Sequence, residues 1–266
     1  MYTASYIIIY IMIFVFGVFI GSFLNVCIYR IPKEETIVKG SSHCMTCGEK
    51  IKKRDLIPVL SWCLLRGKCR NCGVEISPRY TVVELLNGIL FLVAFLKYDF
   101  MFNPIMGVLV CLLYSALVVV FFMDWDTQLI STGVVMFIGI LGLVQLLSNL
   151  LLKGPISDIT WKSQLIGIFV VSIPLLLIHL LSKGRALGLG DVYLMAAGGF
   201  FLGVKSVLVA MFIGMIVGSV VGMILKYKTG NSKFAFGPYL SIGISIAALY
   251  GNQLADLYLR FSGFIR

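Results

Sequence analysis

The chain has 266 residues, of which 59% are hydrophobic and 13% charged, and its formal net charge is +10. Soluble domains carry about a quarter charged residues. The apolar excess here falls in runs long enough to cross a bilayer, which excludes a soluble globular protein. The positive charge has a topological explanation, in facing anionic headgroups and fixing orientation, so the lipid bilayer is an expected partner and nucleic acid is not.

Eight apolar segments are predicted, at 6–28, 82–98, 104–123, 132–152, 163–182, 191–204, 206–225 and 237–257. The first has no basic flank before it and no small-residue cleavage site after it, so it is expected to be a retained helix and not a signal peptide. One polar stretch, 30–80, follows it and holds eleven of the 22 Lys and Arg residues, Lys39 among them. The positive-inside rule makes this stretch cytoplasmic. Alternation then puts the loops 124–131, 183–190 and 226–236, with Lys233, on the same side. Sixteen Lys and Arg fall inside and six outside, the latter including Lys153 and Arg266. The expected fold is an all-α polytopic membrane protein of about eight segments with a small cytoplasmic cysteine-rich domain. Its expected divisions are a first membrane helix (1–29), a four-cysteine domain (30–80) and a helical membrane domain (81–266). Later in the chain, Gly214, Gly218 and Gly222 share one helix face, a spacing that predicts close helix packing.

Within the polar stretch, Cys44-Met-Thr-Cys47 and Cys69-Arg-Asn-Cys72 are two C-x-x-C pairs, each followed by glycine (Gly48, Gly73). Two such turns can present four thiolates to one ion, and zinc suits them best. Four protein ligands leave no open position for water, so the metal is expected to be structural. Disulfides are the alternative, which a reducing cytoplasm disfavours. His43 beside Cys44 is a lesser ligand candidate. Cys27, Cys63 and Cys111 lie in apolar surroundings and are expected in the core, and His179 is expected to be a buried, hydrogen-bonded histidine.

Few acidic residues lie near the spans. Asp124 and Asp126 close the third segment in Phe-Phe-Met-Asp-Trp-Asp, and Asp191 opens the sixth in Gly-Leu-Gly-Asp-Val. An ionisable residue at a span is a candidate functional group. The third segment runs inward to Asp124 and the sixth runs outward from Asp191, so both carboxyls fall at the cytoplasmic edge. They meet if those two helices pack together. Two carboxyls sharing a site cannot both ionise easily, and such a pair holds one proton between them, the chemistry of aspartic proteases. G-x-G-D alone is a common pattern, and its bland reading is a helix-capping carboxylate. A proton- or cation-coupled transporter and a non-catalytic zinc-stabilised scaffold are the competing functional classes.

A set of runs in fixed order extends the reading: Gly21-Ser-Phe-Leu-Asn25-Val-Cys-Ile-Tyr-Arg30-Ile-Pro32, Pro58-Val-Leu-Ser-Trp62, Leu65-Arg-Gly-Lys-Cys69, Ile76-Ser-Pro-Arg79-Tyr80-Thr-Val-Val-Glu84, Met123-Asp124 with Ile130 six residues on, and Gly188-Leu-Gly-Asp191. Together they resemble the bacterial type IV prepilin peptidases over nearly the whole chain. The resemblance implies that Asp124 and Asp191 are the catalytic aspartates; Asp126 also fits an aspartate common in the family, but the role there falls to the first of the two. It also implies a bacterial inner-membrane enzyme that cuts the short basic leader from prepilins and pseudopilins on the cytoplasmic side, in type IV pilus, type II secretion or DNA-uptake systems. The cysteine domain goes with a bifunctional form that methylates the new N-terminus using S-adenosylmethionine. No glycine-rich nucleotide loop accompanies this, so the cofactor-binding residues are unassigned. Ser131, Thr132, Thr81 and Tyr193 depart from the family pattern, and none of these changes removes a carboxylate. Asn25 is expected to hydrogen-bond within the bundle, and Arg79 and Glu84 to pair near the interface.

Overall fold

The computed structural model describes residues 2–38, 40–152, 157, 159–185, 187–229 and 235–263. Lys39, Lys153, Lys233 and Arg266, which contribute to the charge bias, lie outside these residues. The chain forms two compact units, Met1–Leu96 and Lys97–Arg266.

In the first unit, α1 (Tyr2–Arg30) pairs with α3 (Arg79–Tyr98), whose last residues pass into the second unit. Small residues permit the pairing: a Cβ placed on Gly21 would lie 2.7 Å from the Cα of Glu84. Asn87 is fully buried in this seam, and its Nδ2 donates to the Gly17 carbonyl at 2.7 Å. A buried amide without such an acceptor would be costly. Asn25 Nδ2 donates to the Tyr80 carbonyl at 3.0 Å, as expected of a bundle hydrogen bond. Between the two helices lie short 3-10 turns at Ile31–Lys33 and Lys53–Leu56, the five-residue helix α2 (Leu60–Leu64), and two cysteine turns. Cys27 and Cys111 are buried as expected, whereas Cys63 is exposed. Helix α2 is too short to turn every apolar residue inward, and Leu60 and Leu64 are exposed with it.

The second unit centres on α4 (Pro104–Thr127), which buries Leu113, Tyr114, Leu117, Val120 and Met123. The Asn103 side chain caps its start by accepting from the Met106 N–H at 3.2 Å, and Pro104 suits the first turn. α5 (Thr132–Leu151) and α8 (Gly237–Phe261) pack on α4, and α7 (Leu189–Thr229) packs on α5, α6 (Trp161–Leu181) and α8. Gly214 and Gly218 meet Leu240, Phe236 and Tyr239, so the predicted small-residue face packs on α8. His179 is half-buried, with Nδ1 2.7 Å from the Leu187 carbonyl.

The sixth and seventh predicted segments are joined in α7, which is broken at Gly203 (φ 73°, ψ 176°). A Cβ on Gly199 would sit 3.3 Å from Val207. Eight residues of continuous helix would separate those positions by about 12 Å, so the chain turns back on itself at Gly203. Among the described residues, six helices are long and apolar enough to cross a membrane, α7 counting once and α8 not among them. The eighth predicted segment does form a helix, but Pro238, Tyr239, Tyr250, Asn252 and Gln253 dilute its apolar content. Only glycine tolerates the Gly203 conformation, and an added Cβ would lie 2.8 Å from Ile159 and Ser163. Gly203→Ala is therefore expected to destabilise the fold by roughly 1–3 kcal/mol, read as a lower Tm in detergent. An unchanged Tm would mean that the hairpin is not a structural constraint.

Candidate active site and cysteine cluster

Asp124 and Asp191 come from different helix ends of the second unit. Asp124 lies in the last turn of α4 and is 5% exposed, and Asp191 lies in the first turn of α7 and is 7% exposed. Asp126, two residues on, is exposed. The structure thus separates the two aspartates of the Asp-Trp-Asp run. The Asp124 and Asp191 carboxyls are close enough to act on each other electrostatically.

Two backbone N–H groups and one side chain hold the pair. Asp124 Oδ2 accepts a 2.9 Å hydrogen bond from the Gly237 N–H, at the start of α8. Helix N-termini favour negative charge, so α8 offsets the unfavourable position of Asp124 at the C-terminus of its own helix. Asp191 sits at the favourable end of α7 and takes the Gly188 N–H. Ile130 fills the space between the loops. A Cβ on Gly190 would lie 2.9 Å from it, and a Cβ on Gly237 3.0 Å from it and 2.7 Å from Asp124 Oδ2. Among the described residues, Asp191 Oδ1 is buried without a hydrogen-bond partner. A buried carboxylate oxygen in that state demands a proton, a water or a ligand group. The pair is therefore equipped for proton transfer. Ser131 and Thr132 begin α5 beside this site, and Tyr193 is exposed, 51%.

Gly237 is the site residue that the sequence reading missed. It is 113 positions from Asp124, and the only local signal was a Gly-Pro pair opening the last apolar segment.

In the first unit, the sulfurs of Cys44, Cys47, Cys69 and Cys72 lie within 4.8 Å of one another, with Cys44 and Cys72 3.9 Å apart. A tetrahedron of Zn–S bonds near 2.3 Å spaces its sulfurs about 3.8 Å apart, so the cluster fits. The two turns share one architecture. Cys44 N–H donates to the Glu49 carbonyl at 2.9 Å and Gly48 N–H to the Cys44 carbonyl at 2.9 Å; Cys69 to Val74 at 2.8 Å and Gly73 to Cys69 at 2.9 Å repeat the pattern. Gly48 (φ 70°) and Gly73 (φ 72°) take the left-handed conformation that explains glycine after each pair.

The backbone N–H groups of Cys47 and Thr46 pull the Cys44 thiol down to about 6. Val74 N–H favours the Cys72 thiolate, but burial and crowding by Cys47, Cys69 and Cys44 push it up to about 11. Four thiols this close ionise together only around a cation. Arg70 clamps Asp55 through 2.7 and 2.8 Å bonds and holds that carboxyl below its ordinary range, tying the second turn to the preceding loop. His43 Nδ1 lies 3.4 Å from the Ser41 carbonyl, outside the sulfur cluster.

Comparison with known proteins finds matches in both units. Residues 15–98 match the Bacterial Peptidase A24 N-terminal domain, and residues 111–223 match the Type IV leader peptidase family. A prepilin leader peptidase/N-methyltransferase of Xanthomonas campestris is 32% identical over 93% of this chain and 93% of its own length. A Myxococcus xanthus protein of the same name is 32% identical over 83% of this chain and 64% of its length. A type 4 prepilin-like proteins leader peptide-processing enzyme of Escherichia coli is 32% identical over 90% of this chain and 92% of its length. No solved structure matches the chain. The family and the six apolar helices make this a multi-pass protein of the bacterial inner membrane. The chain belongs to the type IV leader peptidase family.

Proposed function

We propose that the chain is a membrane aspartic endopeptidase that removes the short basic leader of type IV prepilins or pseudopilins at the cytoplasmic membrane face, with Asp124 and Asp191 as its catalytic pair. The observation that carries this reading is the burial of two interacting carboxyls, one with an oxygen unpartnered among the described residues, in terminal helical turns of the second unit. In the reaction, the ionised member takes a proton from water, whose oxygen attacks the scissile carbonyl. The protonated member polarises that carbonyl, and a proton then passes to the leaving amine. A transporter relay would need carboxylates near mid-span, whereas both of these lie in terminal helical turns.

The charge bias supports a cytoplasmic site and cysteine domain. The Cys44, Cys47, Cys69 and Cys72 set supports structural zinc. The names of the relatives support a second activity, methylation of the new N-terminal amine with S-adenosylmethionine. Co-expression with a prepilin in a host lacking its own processing enzyme tests the whole reading by mass spectrometry. Leader loss and a gain of one methyl are expected; intact prepilin across several candidate substrates would reject it.

Gly237 is expected to position Asp124. In Gly237→Ala the new methyl would displace Oδ2, and misplacement of a catalytic group by about 1 Å costs about 10²-fold. The loss should appear in kcat for leader cleavage with KM little changed. Equal loss through KM alone would assign Gly237 to substrate binding.

A further inference from the structure

The loop before Asp191 is tied to the end of α6. His179 lies in the last turn of that helix and is half-buried. Its carbonyl accepts the Gly184 N–H at 2.9 Å and the Ser182 hydroxyl at 3.1 Å, which folds the chain back over the helix end. Lys183 (φ 52°) and Gly184 (φ 75°) both take the left-handed conformation in this turn. A histidine that only capped α6 would bond that helix's own last carbonyls. The His179 ring instead passes beside Gly184, where an added Cβ would lie 3.3 Å from its Cε1, and its Nδ1 reaches the Leu187 carbonyl at 2.7 Å.

A carbonyl oxygen only accepts, so Nδ1 carries the proton in this bond. The acceptor belongs to the peptide unit that joins Leu187 to Gly188. The N–H of that same unit donates to the Asp191 carboxyl. Donation to a peptide carbonyl polarises the unit and makes its N–H a stronger donor. His179, one peptide plane and Asp191 therefore form a continuous run of hydrogen bonds. The run ends on Oδ2, since Asp191 Oδ1 has no hydrogen-bond partner among the described residues.

We propose that His179 is a positioning residue for Asp191, acting through the Leu187–Gly188 peptide, an assignment that rests on the peptidase reading above. The ring fixes the tilt of the peptide plane, and the plane fixes the direction from which the carboxyl is held. One oxygen is thereby anchored and the other is left to the reaction. His179 itself touches neither the scissile bond nor the attacking water.

The test uses the full chain in detergent with a prepilin, and compares three changes at one position. His179→Leu removes the donor and should lower kcat for leader cleavage about tenfold, with KM little changed. His179→Asn carries an amide nitrogen as many bonds from Cα as Nδ1 and should recover most of that loss. His179→Gln carries its amide one bond further out and should not. Amide hydrogen exchange in the peptide containing Gly188 should quicken in His179→Leu and His179→Gln and stay near wild type in His179→Asn. Unchanged kcat in His179→Leu would overturn the proposal. So would equal recovery by His179→Asn and His179→Gln, because any polar side chain would then serve. If His179→Leu fails to fold, the contrast between the two amides decides alone, with Tm matched between them. Asp191→Asn, run in parallel, separates the two readings. Cleavage retained there removes the peptidase assignment itself, whereas cleavage lost there but untouched by His179→Leu removes only the role of His179.

Discussion

Asp124→Asn and Asp191→Asn are each expected to abolish leader removal, by about 10²–10⁴-fold or more, while the protein stays folded. The geometry separates chemistry from structure. An asparagine at 124 keeps an oxygen that can accept the Gly237 N–H, so the link between α4 and α8 survives and only the carboxyl chemistry is lost. At 191 the side chain has one oxygen without a partner among the described residues, so an amide there disturbs little packing. Asp126→Asn serves as the control, because that side chain is exposed. Cleavage should be followed by mass spectrometry and Tm measured in parallel. Loss of cleavage in Asp126→Asn with retention in Asp124→Asn would reverse the assignment of the pair. Retention in all three would leave the transporter and scaffold readings.

How much of this site the sequence revealed depends on how far each contact reaches along the chain. The four cysteines were legible because each C-x-x-C-G turn is local: its hydrogen bonds span five residues or fewer. Asp124 and Asp191 were legible as residues at segment ends, and alternation of spans put those ends on one side. That they meet was not legible. The meeting depends on Ile130 lying against both Gly190 and Gly237, a long-range packing fact. Gly237 was missed for the same reason. The α7 hairpin was half visible: two apolar segments were separated at the right place, but the backbone turn at Gly203 is a single dihedral with no compositional signature. Cys63 was misread because apolar neighbours in sequence do not make a core when the helix has five residues. Val59 and Glu84 both lie in runs that carried the resemblance, and Glu84 was expected to pair with Arg79, but the 2.8 Å bond from the Val59 N–H to Glu84 Oε2 joins positions 25 residues apart and had no local signal.

Loss of metal should have the second large effect, and it should be confined to the first unit. The chain purified under reducing conditions is expected to carry about one zinc per molecule, as a site of four thiolate ligands requires. Structural zinc contributes about 10–16 kcal/mol in isolated metal-folded peptides. Among the described residues, the segment between α1 and α3 has little regular structure to replace it: two 3-10 turns, one five-residue helix and two isolated bridges, His43–Lys50 and Lys68–Glu75. Chelation, or Cys69→Ser, is therefore expected to open this segment to protease while the helices that carry Asp124 and Asp191 stay protected. Leader cleavage by the Asp124–Asp191 pair should be largely retained, since that pair is held by Gly237, Gly188 and Ile130 of the second unit. A protease-resistant segment without metal would show that the four thiols are held by packing alone and would overturn the zinc assignment.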